Sequence, residues 1–215
     1  MTLQGELFSL PPLDTLMFEK AAYFNGFTCV AGIDEAGRGP LAGPVMAAAV
    51  ILPVGLALDD VDDSKKLSPD KREKLFDIIM SQAVSVGVGI TGPLEIDRIN
   101  ILQATRAAML AAVQQLSPQP DYLLIDGIST INSAIPQKTI KKGDSLSLSI
   151  AAASIIAKVT RDRLMVEMDS KYPGYGFSGH KGYGSAAHLD AIRKLGPSPI
   201  HRMTFGGVKE HSVLQ

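Results

Sequence analysis

Four carboxylates in this chain of 215 residues stand where an apolar run gives out close to a glycine. Asp34 and Glu35 follow Thr28 to Ile33, Asp126 follows Asp121 to Ile125, and Asp144 follows the short run Thr139 to Lys141. Taken singly, each has an ordinary explanation, because Asp-Gly and Gly-Asp are common turn dipeptides. Taken together, acids carried on strand ends can meet at one edge of a sheet. An oxygen-only cluster of that kind suits a hard ion such as Mg²⁺ or Mn²⁺, which keeps several waters and accepts phosphate oxygens as further ligands. Two such ions about 4 Å apart can activate a water and stabilise the leaving oxygen in phosphodiester hydrolysis. One geometric condition applies. Neighbours on an extended strand point to opposite faces, so Asp34 and Glu35 share a site only if the chain ends or bends there. The following Ala36-Gly37-Arg38-Gly39 permits that.

The elements that must carry these acids can be read in outline. Val45 to Leu52 reads as a buried strand. It lies in Gly39 to Leu58, an uncharged stretch as long as a membrane span, but Pro40, Pro44, Pro53 and three glycines make strand and turns the better reading. Ser68-Pro69 starts a helix running to about Ala83. Val84 to Ile90 alternates as a strand, and Leu94 to Leu116 reads as one helix ended by Pro118 and Pro120. Ser149 to about Lys171 is a long helix, small and apolar in its first half, with Met165 in its apolar part, as Met109 is in the preceding helix. A glycine- and aromatic-rich loop, Tyr172 to Gly184, precedes a helix from Ser185 to Leu195. Strands and helices mixed in this way predict an α/β or α+β domain around a central sheet.

The composition is that of a globular protein, 46% hydrophobic and 20% charged. Cys29 is the single cysteine, so no disulfide framework can form within the chain, and a cytoplasmic location is expected. The N-terminus lacks the basic and apolar regions of a signal peptide. Net charge is −1, but unevenly spread: residues 1–137 carry 9 basic and 16 acidic residues, and residues 138–215 carry 12 basic and 6 acidic. That asymmetry fits an anionic partner met by the C-terminal part, or simply an uneven solvated surface.

At this point the blocks become recognisable. Gly32-Ile33-Asp34-Glu35-Ala36-Gly37-Arg38-Gly39-Pro40-Leu41-Ala42-Gly43-Pro44-Val45 resembles the opening motif of bacterial ribonuclease HII. Asp63-Ser64-Lys65-Lys66-Leu67-Ser68, Leu124-Ile125-Asp126-Gly127, and Lys142-Gly143-Asp144 with Ala151 to Asp162 are similar to that family's next three blocks. His180-Lys181-Gly182-Tyr183-Gly184 and Pro199-Ile200-His201-Arg202 match its last two, so the resemblance runs in order from about residue 28 to 205. It implies an α/β, ribonuclease H-like fold: a mixed central sheet flanked by helices, with a short C-terminal helical segment. It also implies hydrolysis of RNA in RNA/DNA hybrids and incision 5′ of ribonucleotides embedded in duplex DNA, leaving 3′-hydroxyl and 5′-phosphate, with Mn²⁺ or Mg²⁺ as cofactor, two ions being expected.

Carried over by position, the resemblance makes Asp34, Glu35, Asp126 and Asp144 the metal-binding and catalytic carboxylates. It places Gly37, Arg38 and Gly39 against the ribonucleotide, where glycine allows close backbone approach and peptide groups can read the 2′-hydroxyl. Lys65 and Lys66 are expected on phosphate, and Tyr183 against the next, deoxy, sugar. Asp162 competes with Asp144 for the fourth place, but it falls within a helix between Arg161 and Arg163, where an ion pair is the expected role. His201-Arg202 reads equally as structural or functional. Residues 1–27 are expected to form an arm, 28–209 the catalytic domain and 210–215 a tail, with no added helical domain. Within the arm, Gln4-Gly5-Glu6-Leu7-Phe8 resembles the peptide by which bacterial proteins dock on the sliding clamp, through Gln4, Leu7 and Phe8. A monomer without membrane association is expected. Two other readings compete: another ribonuclease H-like phosphotransferase (resolvase, integrase or exonuclease), or a hybrid-binding module that does not cut. A ribose reader needs Gly37-Arg38-Gly39 with Tyr183, which the first does not require. Four acids repel phosphate without cations, which argues against the second.

Overall fold

The computed structural model describes residues 14–56, 58, 64 and 67–211. Five strands form one sheet in the order β3-β2-β1-β4-β5: β1 (Val30–Ala36), β2 (Val45–Ile51), β3 (Ser85–Thr91), β4 (Tyr122–Asp126) and β5 (Gln137–Ile140). The first three pair antiparallel, while β4 runs parallel to both β1 and β5. Helices cover both faces, which is why β2 reads as one apolar run without alternation: all seven of its residues are buried.

Helix α3 (Pro93–Gln114) covers the face formed by Ala31, Ile33, Ala47, Ala49, Leu123 and Ile125. Helix α4 (Leu148–Lys171) covers the other, against Ala48, Val50, Val30 and Leu124. The approach is close enough to require glycine. A Cβ on Gly89 would lie 1.9 Å from the Ala108 carbonyl oxygen of α3, and one on Gly32 would lie 2.2 Å from the Ser149 carbonyl carbon of α4. The Gly32 that opens the first motif therefore seats α4 on β1.

Helix starts follow the expected chemistry. Ser68 caps α2 (Pro69–Gln82) through the amide of Lys71, Ser147 caps α4 through that of Ile150, and Ser185 caps α6 (Ala186–Leu195) through that of His188. Three features depart from the sequence reading. The helix expected over Leu94 to Leu116 is interrupted at Asn100, whose φ is 68° and whose side chain accepts from the amides of Leu102 and Gln103, so it caps the second segment. The loop expected over Tyr172 to Gly184 contains a helical turn, α5 (Phe177–His180). Within the expected arm lies α1 (Met17–Phe24). Its buried Glu19 accepts from Ser147 Oγ at 2.6 Å and from the amide and hydroxyl of Ser149, which fixes a carboxylate at the N-terminus of α4. Among the described residues, no helix is long and apolar enough to cross a membrane.

Candidate active site

Register brings the first two acids together. In the parallel pairing of β1 with β4, Ile33 lies opposite Ile125, so the next residues, Asp34 and Asp126, leave adjacent strands side by side. Asp34 is 3% exposed; it accepts from the Glu35 amide at 2.7 Å and bonds the Ser154 side chain of α4. Burial, and then the charges of Glu35 and Asp126, hold its carboxyl well above the usual carboxylate range. Asp126 Oδ1 accepts from the Gly143 amide at 2.6 Å, tying β4 to a single 3-10 turn, Gly143–Ser145, in which Asp144 is buried. Gly143 is packed so tightly that an added Cβ would meet Ile150 at 2.7 Å. The turn that carries Asp144 is thereby fixed to both β4 and α4.

The strand does not end at Asp34-Glu35 as expected: both stay paired with β2, opposite Ala48 and Ala47, and the bend comes two residues after Glu35. Strand β1 continues through Ala36, then Gly37 adopts φ 92° and reverses the chain. Glu35 stays close enough to raise the proton affinity of Asp34, approaches Arg38 at 3.4 Å, and borders a cavity with Gly37, Arg38, Gly39, Lys158 and Tyr183. Lys158 is held by Asp162, one helical turn on, at 2.6 Å. The expected ion pair of Asp162 thus exists, with a lysine of the cavity wall. Lys65 and Lys66 lie outside the described residues, as do Gln4, Leu7 and Phe8. Their neighbours Ser64 and Leu67 are anchored beside the cavity: Ser64 Oγ bonds Ser154 Oγ at 2.8 Å, and Arg72 donates to the carbonyls of Ser64 and Leu67.

Two buried arginines, not singled out as site residues from the sequence, build the loop that faces this cavity. Arg202 donates to the carbonyls of Gly37, Arg38 and Gly43. Arg161 donates to those of Ala42, Pro44 and Lys181. Burial, and then the neighbouring charge of Arg161, brings Arg202 down to about 9, so it stays protonated at neutral pH. Arg161 sits within 1% of full burial, in line with Ala153, Ala157 and Met165 at four-residue steps. That apolar helical stripe was the signal that could have revealed it. Through Lys181, Arg161 also joins the first motif to the loop of Tyr183. The ring of Tyr183, 48% exposed, passes 3.6 Å from where a Cβ on Gly39 would stand.

Among the described residues, no three His, Cys, Asp or Glu side chains stand close enough together to hold a metal ion as they are placed. What favours a hard divalent cation is the donor chemistry: oxygen ligands only, and a buried Asp34 whose ionisation is opposed by two neighbouring carboxylates, a repulsion that a cation between them would relieve.

A family model described as Ribonuclease HII matches residues 31–208, a span containing all four acids, the glycine loop and Tyr183. The chain is 67% identical to Ribonuclease HII of Pelobacter propionicus, over 97% of this chain and 95% of that protein. It is 68% identical to Ribonuclease HII of Geobacter metallireducens, over 90% and 91%. Among solved structures it resembles the ribonuclease H2 of Pyrococcus horikoshii, with a TM-score of 0.70, 28% identity, and coverage of 85% of this chain and 96% of that one. The ribonuclease HII of Archaeoglobus fulgidus, solved in complex with PCNA, gives a TM-score of 0.69 at 25% identity, over 83% and 95%. With the five-stranded mixed sheet and the pairing that sets Asp34 beside Asp126, these likenesses agree: the chain belongs to the ribonuclease HII family, and is an endonuclease of RNA/DNA hybrids.

Proposed function

We propose that the protein hydrolyses RNA in RNA/DNA hybrids and incises 5′ of ribonucleotides embedded in duplex DNA, leaving 3′-hydroxyl and 5′-phosphate ends. The observation that carries this reading is the juxtaposition of Asp34 and Asp126 across β1 and β4, beside a cavity lined by Gly37, Arg38, Gly39 and Tyr183. Asp34, Glu35, Asp126 and Asp144 would hold Mg²⁺ or Mn²⁺. When bound, such ions supply Lewis-acid activation of water and charge stabilisation at the leaving oxygen.

The chain's own residues do the recognition. Arg202 occupies the carbonyls of Gly37 and Arg38, so a substrate hydroxyl meets this loop through peptide N–H groups, which suit the acceptor face of a ribose 2′-OH. Tyr183, beside Gly39, packs on the adjoining deoxyribose and so registers an RNA-to-DNA junction. Lys65 and Lys66 contact phosphate. The N-terminal Gln4, Leu7 and Phe8 dock on a sliding clamp.

The deciding experiment is cleavage of a duplex carrying one ribonucleotide beside an all-DNA control, with Mg²⁺, with Mn²⁺, and with chelator. A site built to bond a hydroxyl discriminates by roughly 10⁴ or more against substrate lacking it. Cutting is expected only with ribonucleotide and metal together. A folded Asp126→Asn protein should be slower by orders of magnitude; comparable cutting of all-DNA duplex, or normal turnover by that variant, defeats the reading.

A further inference from the structure

Behind the loop of Tyr183 three histidines meet, and none of them belongs to the carboxylate site. His188 and His201 are 0% and 2% exposed, and their Nε2 atoms stand 3.0 Å apart. His180 stacks on His188 with ring centroids 4.2 Å apart, and the rings of Tyr175 and Phe177 close around His201.

The hydrogen bonds allow one proton arrangement. The Ser198 amide, which can only donate, reaches His201 Nδ1 at 2.8 Å, so that nitrogen is an acceptor and the ring proton sits on Nε2. His201 Nε2–H then donates to His188 Nε2, which places the His188 proton on Nδ1, and this donates to the Tyr183 carbonyl at 2.8 Å. His180 is fixed in the same way: the Gly182 amide donates to its Nδ1, and its Nε2–H donates to the Tyr175 carbonyl. With Arg161 on the Lys181 carbonyl and the Leu41 amide on that of Gly182, each peptide from Lys181 to Tyr183 is held. A further proton on either member of the His188–His201 pair would set two donors face to face or turn a donor toward the Ser198 amide. The charged neighbours of the pair are themselves histidines, while the carboxylates of this region, Asp169 and Asp97, face His180 and Arg202 instead.

We infer that His188 and His201 are positioning residues for substrate selection, a two-histidine relay of fixed tautomers that runs from the Ser198 turn to the Tyr183 carbonyl and holds the Tyr183 ring beside Gly39. This rests on the role given to Tyr183 above. The relay acts through one donor atom, so replacements of similar polarity separate positioning from packing. An asparagine at 188 can present its amide nitrogen where Nδ1 stood; a glutamine presents it one bond farther out, at the level of Nε2.

The experiment compares single-turnover cleavage of a lone-ribonucleotide duplex and a long hybrid by wild type, His188→Asn, His188→Gln and Tyr183→Ala. The full chain, labelled with ¹⁵N, is examined in parallel by long-range ¹H–¹⁵N correlation. The expected spectra show His188 protonated on Nδ1 and His201 on Nε2, both neutral at pH 7. His188→Gln should lose about tenfold in the ratio of lone-ribonucleotide to hybrid cleavage, the scale of one buried hydrogen bond, while His188→Asn stays within about twofold of wild type. Equal ratios for the two variants, or the opposite tautomers, overturn the relay. Should the glutamine variant fail to fold, the tautomers and the asparagine variant still decide. An unchanged ratio in Tyr183→Ala instead defeats the reading of Tyr183 itself, and the inference with it.

Discussion

Gly37 and Gly39 stand two residues apart in one motif, yet the structure asks different things of them. Gly37 has φ 92°, and an added Cβ would lie 2.0 Å from Arg161 Nε; Gly39 has ordinary room, 3.6 Å from the Tyr183 ring. Gly37→Ala should therefore cost roughly 2 kcal/mol or more of stability, as a strained backbone and a displaced buried arginine require. Gly39→Ala should melt close to wild type and lose cleavage alone, because its Cβ meets the Tyr183 ring at ordinary van der Waals distance and otherwise faces the cavity. Thermal melting beside single-turnover rates separates the two, and equal loss of stability would show that both glycines serve the fold. The acids divide in a similar way. Asp162 is bound to Lys158 in a half-buried pair, and an asparagine keeps an acceptor oxygen for that lysine, so Asp162→Asn should change stability by only about 1 kcal/mol and keep most activity. Asp144→Asn, in the turn fixed to Asp126, should lose most activity while remaining folded. The reverse ranking would identify Asp162 as the fourth acid.

At the scale of elements, the contact of α6 with the Tyr183 loop carries a pH dependence. Burial, and then the neighbouring His188, lower His201 from the ordinary 6.5 to about 4. The unfolded chain therefore binds a proton between those values that the folded chain refuses. Stability from this group is full above about pH 6.5 and is lost as pH falls toward 4, by roughly 2 kcal/mol at pH 5. Asp34 works with the opposite sign, since its raised proton affinity favours the fold on the acid side. Comparison of wild type with His201→Gln cancels that term. Melting temperatures at pH 7.5 and pH 5 should differ more in wild type than in the variant; parallel curves would mean that His201 accepts its proton without cost.

Across the whole molecule, the basic excess of the C-terminal half is smaller toward solvent than its count implies. Arg161 and Arg202 spend their charge on backbone carbonyls inside the protein, and Lys158 is paired with Asp162. What that half delivers to the site is largely architecture. The clamp docking proposed for the N-terminal segment can be tested apart from the fold. Helix α1 is latched to α4 through Glu19, a contact that a deletion of residues 1–10 does not touch. Such a truncation should still cut a short duplex at the wild-type rate while losing clamp binding, measured by surface plasmon resonance with the cognate clamp. Unchanged binding after deletion, or none by the full chain, removes the docking assignment.

The sequence by itself determined the parts whose causes are local. Apolar runs leading into acids gave β1 and β4 and the acid-bearing turn after β5, Ser68-Pro69 gave the start of α2, the apolar and small-residue runs gave α4 and α6, and the ordered blocks from Gly32 to Arg202 pointed to the family. The break at Asn100 was hidden, because a capping side chain inside an amphipathic run leaves the apolar period intact. Helix α1 was missed because its reason to exist is the contact of Glu19 with Ser147 and Ser149, some 130 positions away, copied in no local pattern. Only tertiary structure decided that Asp34 stands beside Asp126, since strand register depends on pairing between distant segments. It also decided that Gly32 serves helix packing while Gly39 faces the cavity, although both are glycines of one motif. The same holds for Arg161, Arg202 and the paired histidines. A buried polar group must find its partner, and that partner is fixed by where the folded chain brings a carbonyl or a ring nitrogen, not by the residues on either side.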